Sequence, residues 1–316
     1  MPKYTLSSLK KAVRDPSLAV GEIDQALCQV RSWKFEAQHG PGIDMMEEDW
    51  DVLILLDACR YDYFRNQVNI SGELERVISP GARSWEFMQQ TFAGRELHDT
   101  VYVTANPHTE KLDSNIFYTV ETLLDSWNQD LGTVLPENVV SAAIEANANY
   151  PNKRLIIHFM QPHKPHLGPT AEQIRQRVEL KGWDKYHGHS DKKTERDGIS
   201  LWKAVEENKV TIDELRKAYS QSLDIVLEEV EGLIQSIPGK TIISADHGEM
   251  LGERGAITRQ FGHPKMYTPE LRVVPWFLVQ PTDSRRDVEP EEPIGYERLD
   301  DEVVENRLAA LGYTAE

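Results

Sequence analysis

Thr241-Ile242-Ile243-Ser244-Ala245-Asp246-His247-Gly248-Glu249 starts as a buried strand of β-branched residues and ends in an acid, an imidazole and a glycine. An Asp beside a His, where a strand gives way to a Gly turn, can aim two hard or borderline ligands at one cation. Glycine permits the tight backbone path that brings both side chains to one point. The same letters also describe an ordinary surface turn after a strand. Other parts of the chain decide between the two.

Nearer the other end, Asp51-Val52-Leu53-Ile54-Leu55-Leu56 is an unbroken apolar run after an acidic start, followed by Asp57-Ala58-Cys59-Arg60-Tyr61-Asp62. A run without polar alternation predicts a central strand covered on both faces. In open α/β sheets, function collects beyond the carboxyl ends of the strands. Asp57 and Asp246 both stand at such ends, so two carboxylates would point into one crevice. Asp57 also fits a helix N-cap, because Tyr61-Asp62-Tyr63-Phe64-Arg65 can open a helix. Asp246 and His247 favour the ligand.

In Ser79-Pro80-Gly81-Ala82-Arg83-Ser84-Trp85-Glu86-Phe87-Met88, the break after a short strand over Leu74 to Ile78 puts Ser84 at the N-cap of a helix running to about Ala93. A serine there faces unpaired backbone N–H groups and the positive end of the helix dipole, which suit an oxyanion or a phosphate. A metal ion would stabilise its alkoxide further. A plain cap is the alternative.

In this order the segments resemble the alkaline phosphatase superfamily, specifically its sulfatase-like and phosphodiesterase-like members. The family pattern is a strand ending in a metal-binding Asp, a nucleophile at a helix N-terminus, a late Asp-His pair and a further His or Lys. Those positions match Asp57, Ser84, Asp246-His247 and His263. The stretch Asp246 to Glu253 looks like the sulfatase signature. Pro269-Glu270-Leu271-Arg272-Val273-Val274-Pro275-Trp276 looks like the segment that follows the last ligand and enters a core strand. His158-Phe159-Met160-Gln161-Pro162-His163-Lys164-Pro165-His166 resembles the mid-chain segment in which a His at the position of His163 contacts substrate or metal. The resemblance covers roughly residues 50 to 280. It implies an α/β fold, a three-layer αβα sandwich with a mostly parallel central sheet.

The chain departs from that pattern at Ala58, where sulfatases carry a second consecutive Asp. After Ser84, Trp85-Glu86-Phe87-Met88 lacks the Pro and Arg of a formylglycine site. Ser84 is therefore expected to act as an unmodified alkoxide, as in phosphatases. Two-metal members also place an Asp shortly before the mid-chain His; here Gln161 precedes His163. One complete metal site is expected, with a second one incomplete.

The chemistry so implied is metal-assisted displacement at phosphorus or sulfur. Asp57, Asp246 and His247 hold a divalent cation, Zn²⁺, Mn²⁺ or Ca²⁺. Ser84 attacks in line and forms a covalent ester, which water or an acceptor alcohol releases. His163 and His263 stabilise the transferring group or protonate the leaving oxygen. His263 is the expected ligand of any second cation. Arg60, Arg83, Asn106 and Lys164 are candidates for binding a small anionic ester or a glycan-linked ester. Two further readings stay open: a transferase that passes a phospho-alcohol group to a glycan or lipid acceptor, and a binding protein of the same fold without catalysis.

Other motifs invite different readings. Cys59 and Arg65 have the spacing of a tyrosine phosphatase loop, but the bulky, acidic Tyr61-Asp62-Tyr63-Phe64 between them replaces the glycines such a loop needs. His158 lies in the apolar run Leu155 to Met160 and reads as a core histidine. His187 and His189 fall in a polar stretch and read as exposed loop. Asn106-Pro107-His108, after a strand over Val101 to Thr104, either rims the crevice or forms a turn.

Composition fits a single soluble enzyme domain of 316 residues. Residues 1 to 46 read as a helical extension, with Leu6, Leu9, Val13 and then Ile23, Ala26, Leu27 and Val30 at helical spacing; it packs on the catalytic domain or on another subunit. Residues 47 to 280 form the catalytic domain, and 166 to 200 within it read as an insertion or lid. Pro136 to Ala146 reads as a helix feeding a strand over Arg154 to Met160. Thr211 to Gln235 carries apolar residues at helical spacing. Residues 281 to 316 read as an acidic, Pro-rich loop and a short helix over Val303 to Leu311. No apolar run is long enough to span a membrane and no signal-peptide core opens the chain, which points to the cytoplasm. Cys28 and Cys59 give no disulfide framework. A net charge of −17 excludes nucleic acid as a partner and requires a locally positive crevice for any anionic ester. Oligomeric state is not legible.

Overall fold

Val52–Leu56 forms a strand whose five residues are all buried, as an aliphatic run covered on both faces should be. The computed structural model describes residues 16–180, 198–280 and 285–311. In chain order its strands are Val52–Leu56 (β1), Gly72–Ile78 (β2), Leu97–Thr104 (β3), Phe117–Thr122 (β4), Trp127–Asn128 (β5) and Thr133–Val134 (β6). Arg154–Phe159 (β7), Thr241–Ala245 (β8), Met250–Arg254 (β9), Arg259–Gly262 (β10) and Val273–Val279 (β11) follow. The helices are Pro16–His39 (α1), Tyr61–Gln67 (α2), Ser84–Thr91 (α3), Pro136–Asn149 (α4) and Pro169–Arg177 (α5). Leu201–Glu206 (α6), Ile212–Ser236 (α7), Pro269–Arg272 (α8) and Asp301–Ala310 (α9) complete the set.

The central sheet has seven strands in the order β2-β11-β8-β1-β7-β3-β4. β1 pairs in parallel with β7 and β8, and β3 pairs in parallel with β7 and β4. Only β11 runs against its neighbours, β2 and β8. Helices flank the sheet, so the architecture is the expected three-layer αβα sandwich. Register places the functional residues: Leu56 stands opposite both Phe159 and Ala245. The chain therefore leaves β1, β7 and β8 at one level, the carboxyl edge.

The long α7 begins at a complete capping box: the Thr211 hydroxyl accepts the Glu214 N–H, and the Glu214 carboxylate accepts the Thr211 N–H. Leu215, Tyr219, Leu223, Val226, Val230 and Leu233 are buried along one face. From α3, the adjoining Phe92 ring packs on Tyr102 and Phe117 of the sheet. α5, inside the stretch read as an insertion, buries Ala171 and Ile174 in a cluster with Leu215 and Tyr219 of α7. His187 and His189 lie outside the described residues, as do Leu6, Leu9 and Val13. After 284, the chain is tied back to the segment that enters the central strand β1, where Arg285 Nη2 donates to Asp49 Oδ1 at 2.7 Å and Arg285 Nε to Asp51 Oδ2 at 2.8 Å. Among the described residues no helix is long and apolar enough to cross a membrane.

The apolar stripe of α1 does not face the sheet: Ile23 is 54 % exposed, Val30 62 % and nearby Trp33 72 %. The opposite face docks instead, through a buried acid. Asp24 Oδ1 accepts the N–H groups of Ala256 and Ile257 at 3.0 and 2.5 Å. Cys28 follows it into a cluster with Met250, Met266 and Leu271. Satisfying the orphan amides of the β9–β10 turn fixes the rotation of the helix, and the apolar stripe is left in solvent.

Candidate active site

Asp57 and Asp246 leave the ends of β1 and β8 side by side, both fully buried. The turn after β1 passes through Ala58 at φ 60°, a left-handed conformation that non-glycine residues reach only under constraint. That path aims the Ala58 N–H at Asp246 Oδ1, 3.0 Å away, and the His247 N–H reaches the same oxygen at 2.7 Å. Asp57 Oδ2 accepts the Asn106 amide at 2.8 Å and the Ser84 hydroxyl at 3.3 Å. The other oxygens, Asp57 Oδ1 and Asp246 Oδ2, have no hydrogen-bond partner among the described residues. Burial and then the charges of Asp246 and Glu249 push Asp57 well above the usual carboxylate range. Two buried carboxylates with an unsatisfied oxygen each fit a cation.

His247 faces the same point. Its Nδ1 lies 2.7 Å from the Gly248 carbonyl and so carries the proton. Nε2 is left with its lone pair, 3.2 Å from Ser84 Oγ, 3.7 Å from Asp57 Oδ1 and 3.5 Å from Asp246 Oδ2. Asp57, Asp246 and His247 thus have the donor set and placement to hold one divalent ion. Ser84 is not the N-cap: Arg83 takes that extended position, φ −157°, and Ser84 is the first helical residue. Its hydroxyl is therefore not spent on capping and turns to Asp57 and His247. Gly248 has a different role from the one its turn suggests. A Cβ there would collide with the Glu270 carbonyl, so close approach rather than a positive φ requires the glycine.

A second group lies beside the first. His163 is brought in by the loop after β7, its N–H bonded to the Asp57 carbonyl at 3.1 Å. His263 follows β10, with Nδ1 3.9 Å from Glu249 Oε1. One ligand atom each from His163, Glu249 and His263 lie within 4.8 Å of one another. Burial holds both imidazoles well below their ordinary value, hence neutral and able to ligate. Glu249 is fully buried, with neither carboxylate oxygen hydrogen-bonded among the described residues. Spacing alone shows no carboxylate beside His163 and His263; Glu249 stands within reach of both. Its signal was its place directly after Asp246-His247-Gly248.

Three of the expected substrate contacts are turned elsewhere. Arg60 forms a two-pronged bond to Asp62, at 2.9 and 2.8 Å, and a third to Glu253 at 2.7 Å. Its charge is thus neutralised at the rim of β9. Asn106 is buried against Asp57 and positions the carboxylate. Lys164 is buried and donates to the Leu311 carbonyl at the end of α9. Arg83, with Trp33, Ala82, Glu86, Lys265 and Tyr267, lines a cavity of about 300 Å³. Cys59 is a buried free thiol, raised well above its ordinary value by burial. His158, read as a core histidine, is buried, but its Nε2 lies 3.7 Å from Asp246 Oδ2.

No family model matches the chain, and no curated protein matches it. Solved structures do. The soluble domain of lipooligosaccharide phosphoethanolamine transferase A from Neisseria meningitidis is 14 % identical, with 72 % of this chain and 75 % of that one covered and a TM-score of 0.40. The C-terminal periplasmic domain of EcEptC from Escherichia coli, in complex with Zn, is 14 % identical over 77 % of this chain and 76 % of that one, with a TM-score of 0.45. A protein in the alkaline phosphatase superfamily from Vibrio parahaemolyticus is 11 % identical over 76 % of this chain and 60 % of that one, with a TM-score of 0.39.

Proposed function

We propose that the chain is a metal-dependent enzyme that displaces an alcohol from a phosphoric or sulfuric ester, with Ser84 as nucleophile. The observation that carries this reading is the position of Ser84 Oγ, 3.3 Å from Asp57 Oδ2 and 3.2 Å from His247 Nε2, on the first residue of a helix. A divalent ion held by Asp57, Asp246 and His247 would act as a Lewis acid toward the ester and favour the serine alkoxide. The residues supply the rest. Asp57 Oδ2, which accepts from the Ser84 hydroxyl at 3.3 Å, is the acceptor for its proton, leaving Oδ1 for the ion. The first turn of α3 presents its backbone N–H groups and positive dipole end to negative charge on Oγ. Neutral His163 and His263 would donate to or accept from the leaving oxygen. Arg83 and Lys265 provide the positive charge an anionic ester needs against a net charge of −17. Serine attack forms an ester to the enzyme and expels the alcohol; a second attack frees Ser84.

Whether water or an alcohol makes the second attack distinguishes a hydrolase from a transferase. The transferase reading is kept beside the hydrolase because the cavity of about 300 Å³ is lined by Arg83, the residue before Ser84, and could seat an acceptor alcohol. Release of nitrophenol from its phosphate monoester, phosphodiester and sulfate, with Mn²⁺ or Zn²⁺, tests both. Activity on one ester that vanishes in Ser84→Ala supports the nucleophile. Equal activity in the two proteins would reduce Ser84 to a helix residue. Product analysis with and without an added glycan acceptor then separates the two second steps.

A further inference from the structure

We propose that His158 is a protein ligand of the cation held by Asp57 and Asp246, oriented for that task by Tyr102. The inference rests on the metal-dependent reading above and adds to it a residue whose setting in an apolar strand suggested plain core packing.

His158 occupies the sheet position between Leu55 of β1 and Thr104 of β3, and its side chain is fully buried. Its two ring nitrogens have different surroundings. Nδ1 lies 2.7 Å from Tyr102 Oη, with the two rings stacked at a 16° interplanar angle. In the ligating tautomer Tyr102 Oη accepts the Nδ1–H, which leaves the lone pair on Nε2. A ligating histidine commonly uses its second nitrogen in this way, to fix tautomer and ring plane.

Nε2 points into the carboxylate pair. It stands 3.7 Å from Asp246 Oδ2, and a ligand atom each from Asp57, His158 and Asp246 lie within 4.8 Å of one another. Nε2, Asp246 Oδ2 and Asp57 Oδ1 all lack a hydrogen-bond partner among the described residues. A core histidine of purely structural use would be expected to satisfy both nitrogens. Three unsatisfied buried atoms of ligating type, converging from β1, β7 and β8, are explained together by one ion. His247 Nε2 approaches the same Asp246 Oδ2 from 3.5 Å. The carboxylates are thus flanked by two imidazoles, a mixed N and O set suited to Zn²⁺, Mn²⁺ or Co²⁺.

Co²⁺ is the probe. The full chain is loaded with Co²⁺, its visible bands are recorded, and the affinity is measured by chelator competition for the parent, His158→Gln and Tyr102→Phe. The expected result is a shift of the bands in His158→Gln with affinity lowered by roughly 10–100-fold, and a smaller loss in Tyr102→Phe. Parent bands and affinity retained in His158→Gln would overturn the inference and leave the Asp57, Asp246 and His247 site standing. A parent chain that binds no Co²⁺ would overturn both. Should circular dichroism show that His158→Gln does not fold, the near-isosteric Tyr102→Phe decides, and unchanged bands and affinity in it overturn the inference.

Discussion

The Tyr219 hydroxyl donates to the Ala58 carbonyl at 2.7 Å and accepts the Arg60 N–H at 3.0 Å. A side chain of α7 thereby holds the left-handed turn that aims Asp57. Tyr219→Phe leaves two buried backbone groups without that partner, so it is expected to lower stability by roughly 1–3 kcal/mol and to weaken divalent-ion binding. Urea unfolding and chelator competition read the two effects. Lowered stability with intact metal affinity would confine Tyr219 to the scaffold.

Asn106 donates to Asp57 Oδ2 at 2.8 Å, beside the bond from Ser84. Asn106→Ala is expected to lower kcat by roughly 10–100-fold with little change in KM, because it loosens the carboxylate and touches no substrate. A raised KM with kcat unchanged would instead restore Asn106 as a substrate contact.

Burial holds His108 down to about 3, His158 to about 4 and His166 to about 3. Between pH 6.5 and those values the unfolded chain binds protons that the folded chain refuses, so stability falls as pH drops through this window. Thermal melts of the metal-free chain from pH 7.5 to 4.5 should show the decline. His166→Gln, away from the carboxylates, should make it shallower. An identical slope in the variant would mean that His166 is already charged in the fold.

Cys28 and Cys59 are buried free thiols, both raised by burial. Neither should react with an aromatic disulfide in the native chain, and both should react in denaturant. Rapid native labelling of Cys59, coupled to loss of ester cleavage, would revive a cysteine nucleophile.

Much of the frame was legible because it depends on short-range pattern. Aliphatic runs gave β1, β7 and β8, and apolar residues at helical spacing over Thr211 to Gln235 marked α7. The meeting of Asp57 with Asp246 followed from strand ends in a parallel sheet. What stayed hidden depends on rotation and on distant partners. Helical spacing names a stripe on α1 but not the direction it faces, which Asp24 sets by reaching Ala256 and Ile257. Arg60 looked available until folding brought Glu253 to it. His158 looked like packing because the atoms that give it meaning, Tyr102 Oη and Asp246 Oδ2, lie on other strands.

Asp57, His158 and Asp246 ride on three strands whose pairing closes long stretches of chain. Because side chains alternate between faces, a slip of β7 or β8 by one residue would send His158 or Asp246 to the far side of the sheet. Any ion held between them therefore stabilises only the correctly aligned sheet, and not its slipped competitors. The cation would serve the chain as a proofreader of strand alignment before it serves any substrate.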